Sequence, residues 1–447
     1  DIAAPGVNVL AGVSTIGNNG DQFGFMSGTS MAAPHIAGFG ALVLSKQPKW
    51  TPAMVKSAMM TTAYPLLNAD GTPNTDPFQG GAGHIDSTRV LDPGLVYNSG
   101  IKDWLGFLNG QGVDTGSPQA GSIAARDLNV PSIALGSLVG EVQVKRQLTA
   151  LVPGIYRPEV SMPGFNVQVE PNALNFAKAG QTREVTLTIR NVSAPVGKFS
   201  HGSLTWKGPR TVSSPIAIRP VDAQIAPSFS FSSATGSGSG TMELVSGSDN
   251  PINVGVEGLA PLSQTAITKT PGGYAPRNDA HNALLQVAVP EGASFARLGV
   301  QAQSDDVDWD MVVYAPNASG GLTATQVATA SASEFLNLES PRAGTYYIAV
   351  NLYSTPDNGA ASASVQAVTF AGDAGNLTVE PNPIVAPNGT ATSATVSWAG
   401  LSEGAYLSRL SLGGNGIRTW VNVQVGAVPV APAGAPQVRL ADAVPAS

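Results

Sequence analysis

One change of hydrophobic period constrains this chain more than any other feature of its sequence. Up to about residue 110 the apolar residues recur at helical spacing, and after Ser117 alternation of period two replaces it. Between residues 27 and 45, Met31, Ala32, Ile36, Ala37, Ala41, Leu42 and Leu44 spell a helix apolar on most of its faces, the pattern of a buried helix. Thr51 as N-cap and Pro52 at the first helical position announce a second helix, which carries Met54, Val55, Ala58 and Met59 up to a stop at Tyr64-Pro65. A loop rich in Gly, Asp and Pro over 68–83, a short segment ending at Tyr97 and a small helix over 103–108 complete this part.

The remainder reads as β-structure. Val167-Gln168-Val169 and Glu184-Val185-Thr186-Leu187-Thr188-Ile189 alternate, and short strands separated by frequent turns argue for β-sandwiches. Residues 127–220 have the length of one such domain. The Ser/Gly stretch 230–240 reads as turn-rich, and further strands are expected over 284–289, 296–302, 311–314 and 346–351. A weak internal repeat links Val169-Glu170-Pro171-Asn172 to Val379-Glu380-Pro381-Asn382, with related pieces downstream of each. Two related sandwich units, or parts of them, explain it most simply.

Composition narrows the function. With 447 residues the chain is long enough for about three domains. Its formal charge of −7 argues against nucleic acid or anionic membrane as the main partner, since both demand concentrated positive charge. There is no cysteine, hence no disulfide, thiolate metal site or cysteine nucleophile, and four histidines leave little scope for a zinc centre. No apolar run is long enough to span a membrane. The first residues, Asp1-Ile2-Ala3-Ala4-Pro5-Gly6-Val7, lack an initiating Met and a signal sequence, so the chain is expected to be cut by processing or incompletely recorded. The Ala/Pro/Val-rich residues 429–447 read as an exposed tail.

One segment carries chemistry: Gly28-Thr29-Ser30-Met31-Ala32-Ala33-Pro34-His35-Ile36-Ala37-Gly38. A serine at the start of a helix lies among free N–H groups and partial positive charge. An oxyanion formed on a substrate carbonyl beside Ser30 would be stabilised there, partly by the N–H of Ser30 itself, with Thr29 in support. Taken alone, Gly-Thr-Ser reads as a helix cap, since Ser is a favoured cap residue; the whole string is what changes that reading.

The whole string resembles the nucleophile segment of the subtilisin-like serine peptidases, and Asp1-Ile2-Ala3-Ala4-Pro5-Gly6 resembles the stretch shortly before it. Asp76-Pro77-Phe78-Gln79-Gly80-Gly81-Ala82-Gly83-His84-Ile85 and Leu91-Asp92-Pro93-Gly94-Leu95-Val96-Tyr97 resemble the cucumisin-like branch. Asp127-Leu128-Asn129-Val130-Pro131-Ser132-Ile133 resembles the start of that branch's fibronectin-III-like domain, and Gly202-Ser203-Leu204-Thr205-Trp206 its last strands. Asp306-Val307-Asp308-Trp309-Asp310-Met311 and Ala343-Gly344-Thr345-Tyr346-Tyr347 resemble the pre-peptidase C-terminal domain of secreted bacterial proteases. Asp305, Asp306, Asp308 and Asp310 could bind calcium through oxygen ligands, or form the solvated face of a strand. No other cofactor is expected.

The resemblance implies a multidomain fold, a partial α/β subtilisin-like peptidase domain followed by all-β sandwich domains. Its expected divisions are 1–115 for the peptidase part, 125–222 for the fibronectin-III-like sandwich, 223–372 for a sandwich region containing the pre-peptidase-like domain, 373–428 for a second fibronectin-III-like unit or partial unit, and 429–447 for the tail. It implies peptide-bond hydrolysis through an acyl-enzyme on Ser30, protein or peptide substrates, and secretion. In this family Asp and His precede the serine. Here they and the oxyanion asparagine are expected upstream of residue 1. His35 cannot replace the base, because five residues along a helix put it ~140° around and ~7.5 Å away from Ser30. His84, His201 and His281 fall in segments read as structural. The chain alone is therefore expected to be inactive, unless it pairs with the missing N-terminal peptidase segment. The alternative is a non-catalytic binding or structural protein made of β-sandwiches with a peptidase remnant. Asn191, Asn317, Asn376 and Asn388 stand in Asn-x-Ser/Thr triplets, which chance explains in so Ser/Thr-rich a chain.

Overall fold

The computed structural model describes residues 1–426, which fall into two units, 1–222 and the residues from 223 onward. The tail expected at 429–447 lies outside the described residues. Among the described residues no helix is long and apolar enough to cross a membrane.

The first unit opens with an antiparallel hairpin, β1 (Val9–Gly12) and β2 (Phe23–Met26), followed by α1 (Thr29–Lys46) and α2 (Pro52–Thr62). Thr51 caps α2 as its sequence dictates, its Oγ1 accepting from the Met54 N–H at 3.1 Å. The segment expected as loop over 68–83 contains one helical turn, α3 (Pro77–Gly80), started by the same device: Asp76 accepts from the Phe78 N–H at 2.9 Å ahead of a proline. Next come β3 (Leu95–Tyr97) and α4 (Ile101–Gly110).

The expected burial of α1 is not found. Val43 is its one buried residue, and Leu42 and Leu44 are 44% and 41% exposed. The helix packs one side against a small core with Val55, Ala58, Met59 and Ile85, and among the described residues nothing covers the rest. The hairpin is bare in the same way, with Phe25 70% and Leu10 59% exposed.

The sandwich of the first unit comprises β4 (Ile133–Leu138), β5 (Glu141–Ala150), β6 (Gly154–Ser161), β7 (Phe165–Glu170), β8 (Leu174–Phe176), β9 (Thr182–Asn191), β10 (Ser200–Lys207) and β11 (Val212–Pro220). One sheet runs β3-β5-β9-β7 and the other β4-β11-β10-β6-β8, with β4 parallel to β11. Strand alternation sends Val144, Leu148, Tyr156 and Trp206 into one core. β3 ties the helical part to this sandwich. It pairs with β5, Tyr97 N–H donates to Ser57 Oγ of α2 at 2.9 Å, and the Tyr97 hydroxyl meets Ser214 Oγ at 2.9 Å.

The second unit corrects two of the expected divisions. Strands Ala223–Ile225, Gly238–Ser246, Ala391–Trp398 and Leu377–Glu380 form one sheet in that order; Ser228–Ser233, Ile417–Val425, Gly404–Leu412 and Val254–Val256 form its mate. Thus 223–261 and 377–425 build a single sandwich, and the boundary drawn at 372/373 separates no two domains. The turn-rich reading of 230–240 is also corrected, since strands occupy all but its middle. Apart from β8, in whose place stands only an isolated Ile252–Ile384 bridge, this sandwich repeats the strand order of the first, including a parallel pair, Ser228–Ser233 beside Ile417–Val425. The repeated Val-Glu-Pro-Asn closes the matching strands β7 and Leu377–Glu380, with a cis Glu–Pro bond in each.

Between them, where the first sandwich has only the residues 162–164, the second carries a whole further sandwich. Its sheets are Ser263–Lys269, Ala361–Phe370, Phe295–Ala302, Glu334–Glu339 and Asn282–Val289, Gly344–Ser354, Asp308–Pro316, Leu322–Val327, each in spatial order. Trp309, Met311, Ile348 and Val350 fill its separate core. The same local corner recurs in each of the three sandwiches. Tyr156, Tyr346 and Tyr406 each donate a hydroxyl to the carbonyl four residues back, at 3.0, 2.9 and 3.2 Å. Gly154, Gly344 and Gly404, two residues before each tyrosine, take φ of 145°, 142° and 147°, where a side chain would be strained.

Candidate active site

Two strands of chain hold the start of α1. The Gly28 N–H donates to Gly6 C=O at 2.7 Å, and the Asn8 N–H to Ser27 Oγ at 2.9 Å. A side chain at Gly6 would meet Gly28 O at 2.9 Å, so glycine is what lets the two backbones touch. Gly28, at φ 154°, is the N-cap, which places Thr29 and Ser30 in the first turn rather than at the cap. The cap reading of Ser30 is thereby replaced: its side chain makes no hydrogen bond to the helix.

Both Thr29 and Ser30 are exposed. Met31 and Ala32 N–H donate to Gly28 C=O at 3.0 and 3.4 Å, while the N–H groups of Thr29 and Ser30 have no protein partner. No acidic residue stands in the first turn to take up its positive end. Pro34, inside α1, lacks the N–H that would have served the Ser30 carbonyl four residues back. The result is a serine hydroxyl beside free backbone donors, an arrangement able to hold an anionic oxygen.

No base reaches it. His35 turns back to its own helix, its Nδ1 2.9 Å from Met31 O. His84 stacks on Tyr64 and lies 2.9 Å from Ile85 O through Nδ1. His201, on β10, faces Asp76 with Nε2 3.7 Å from Oδ1 and packs edge-on against Phe78. His281 contacts Thr270. Asp21 is exposed in the loop of the hairpin. Among the described residues no histidine or carboxylate hydrogen-bonds Ser30.

Beside the helix start lies an open cleft of about 850 Å³, lined among others by Ala4, Val7, Thr29, Ile36, Lys56 and Phe78. Thr29 lines it and Ser30 does not. Its Phe78 wall is braced by the sandwich, with Phe199 4.8 Å from Phe78 centroid to centroid. Sequence reasoning passed over Asp76 as a cap and brace, although Asp-Pro there carries the same signal as Thr51-Pro52.

The acidic run is divided. Asp305 and Asp306 lie in a turn, while Asp308 and Asp310 alternate with buried Trp309 and Met311 on the outer side of their strand. Among the described residues no three or more His, Asp or Glu side chains gather closely enough to hold a metal ion. Burial, with Glu334 nearby, pushes the Asp308 carboxyl up. Burial also raises Asp310, with further repulsion from Asp308 and Glu334. A raised folded-state value means stability that is present below the ordinary aspartate value and lost as pH rises through the folded one. Asp310→Asn is therefore expected to raise the melting temperature of the inserted sandwich by about 2 °C at pH 7 and to make no difference near pH 3. Calorimetry at the two pH values checks it, and a lowered melting temperature at pH 7 would contradict it.

Comparison with known proteins falls on these same segments. Residues 1–84 match the family model of the subtilases, and residues 127–218 that of a fibronectin type-III domain. Subtilisin-like protease SBT1.7 of Arabidopsis thaliana is 38% identical over 253 residues, 49% of this chain and 33% of that protein. Subtilisin-like protease SBT3.2 of the same plant is 37% identical over 245 residues, again 49% and 33%. The chain thus spans about a third of the length of these relatives. Among solved structures, tripeptidyl peptidase 2 aligns with 87% of this chain and 29% of its own at 14% identity and a TM-score of 0.26, too slight a likeness to carry an argument. The first half of the chain is thus similar to about a third of these subtilisin-like proteases, and within it a subtilase-matched segment is followed by a fibronectin type-III domain.

Proposed function

We propose that this chain is the C-terminal portion of a secreted subtilisin-like serine endopeptidase in which Ser30 is the nucleophile. The observation that carries the reading is the placement of Ser30 within a subtilase-matched segment, exposed in the first turn of α1 beside its own and Thr29's unpartnered N–H groups.

In that role Ser30 Oγ attacks the scissile carbonyl and its proton passes to a base, which hands it to the leaving amine as the C–N bond breaks and the acyl-enzyme forms. The N–H of Ser30 donates to the oxyanion that develops. Thr29, on the edge of the cleft, helps fix the approach of substrate. The base and its orienting carboxylate come from outside this sequence, because each of the four histidines is engaged elsewhere. The uncovered apolar sides of α1 and the hairpin are where that further part of the peptidase domain would rest. The sandwiches serve as its extracellular accessory domains.

The purified chain alone should not hydrolyse casein above the blank. Turnover that disappears on Ser30→Ala would mean that a base exists within the chain and would overturn this assignment of the missing groups.

A further inference from the structure

We infer that Arg297 forms a carboxylate-binding site where the inserted sandwich meets its host. The strand Phe295–Ala302 sends Ala296, Leu298 and Val300 into the core of the insert, so Phe295, Arg297 and Gly299 face outward. At Gly299 a side chain would lie 2.2 Å from the Phe335 ring, and its absence leaves room for that ring against the strand. The Arg297 guanidinium lies over two aromatic rings, its Cζ 4.0 Å from the Phe335 centroid and 4.6 Å from that of Trp420 in the host. Neither ring takes a hydrogen bond from its donors, and the edge of the planar fork matches the two oxygens of a carboxylate.

The charge is uncompensated. Of its five N–H donors, the one protein partner is Asn337 Oδ1 at 3.5 Å, and among the described residues no carboxylate lies within 4.0 Å of it. The neighbouring arginines are served quite differently. Arg409 pairs with Glu257 at 2.5 Å and Glu339 at 2.8 Å, and Arg418 with Glu339 at 2.5 Å. Three arginines thus meet two glutamates, and the remainder falls on Arg297, in a chain whose net charge is −7. Burial alone lowers Arg297 to about 10, with no acidic group opposing it. A stacked arginine serving only as adhesive between the sandwiches would bind nothing at its edge. The carboxylate could be a peptide's C-terminus or an Asp or Glu side chain, and this site is independent of the role of Ser30.

Isothermal titration of the whole chain with three short uncharged-backbone peptides tests it: one with a free C-terminal carboxylate, the same peptide as its C-terminal amide, and an amide carrying one internal Glu. The free acid is expected to bind with a millimolar dissociation constant, and Arg297→Met to weaken it about tenfold or more. Binding of the internal-Glu amide would extend the site to side-chain carboxylates, and its failure would confine it to C-termini. Should Arg297→Met not fold, Arg297→Lys, which keeps the charge and loses the fork, is expected to weaken binding in the same direction. Equal binding of acid and neutral amide, equal binding by the variants, or no binding of either carboxylate peptide up to about 10 mM would overturn the inference.

Discussion

Replacing Arg146 by alanine is expected to cost the first sandwich about 3–5 kcal/mol, a large share of the stability of an ordinary domain. Arg146 lies on the inward side of β5, where alternation calls for an apolar residue, and only 3% of it is exposed. Its guanidinium spends its donors on backbone. Nε donates to Val130 O at 3.0 Å, Nη1 to Arg126 O at 2.6 Å and Lys145 O at 2.8 Å, and Nη2 to Ser132 O at 2.9 Å. Burial pulls its proton affinity down, and the nearby Tyr97 and Asp127 oppose that pull. The side chain therefore fastens the segment joining the helical part to the sandwich, and alanine would leave these carbonyls without donors away from water. Lysine should fail as well, because one ammonium cannot span the four carbonyls. Urea unfolding read by hydrogen exchange in β5 and β9 measures the loss, and a change below about 1 kcal/mol would contradict this role.

Trp309→Ala is expected to remove about 3–5 kcal/mol from the inserted sandwich while leaving its host folded. The indole is fully buried among Met311, Ile348 and Val350, in a core distinct from that of the strands on either side of the insertion in sequence. Its Nε1 has no hydrogen-bond partner, so Trp309→Phe gives up volume but no bond and should cost less than alanine. Limited proteolysis with mass mapping separates the outcomes. New cleavages confined to 263–370 are expected. Equal exposure of Gly238–Ser246 and Ala391–Trp398 would contradict the separation of the two cores.

Much of the local structure was legible. Thr51-Pro52 marked a helix start because cap chemistry and the fixed φ of proline act locally, and alternation marked the strands over 184–189 and 346–351 for the same reason. What failed was non-local. The period of α1 shows an apolar helix but not what covers it. The insertion is invisible to alternation, because strands on either side of 263–370 pair across more than a hundred residues. Its one trace was the Val-Glu-Pro-Asn repeat, which closes two edge strands that each pair with a strand following them, Thr182–Asn191 and Ala391–Trp398. The tyrosine corners were present as Gly154-x-Tyr156, Gly344-x-Tyr346 and Gly404-x-Tyr406, a spacing too short to stand out in a chain with 51 glycines. Arg146 breaks its strand's alternation and is buried on backbone carbonyls, whereas Arg297 keeps the alternation and lies on the outer face against Phe335 and Trp420; sequence alone shows neither arginine's partners. At the candidate site the string around Ser30 was informative, whereas its N2 position depended on the φ of Gly28.

The most direct test is labelling by a fluorophosphonate serine probe, applied to this chain alone and to the chain joined to the N-terminal peptidase segment proposed above, each beside Ser30→Ala and a heat-denatured control. The expected result is no Ser30-dependent label on the chain alone and a label that depends on Ser30 once the proposed N-terminal segment is present. Ser30-dependent labelling of the isolated chain, or labelling of the longer protein that survives Ser30→Ala, would contradict it.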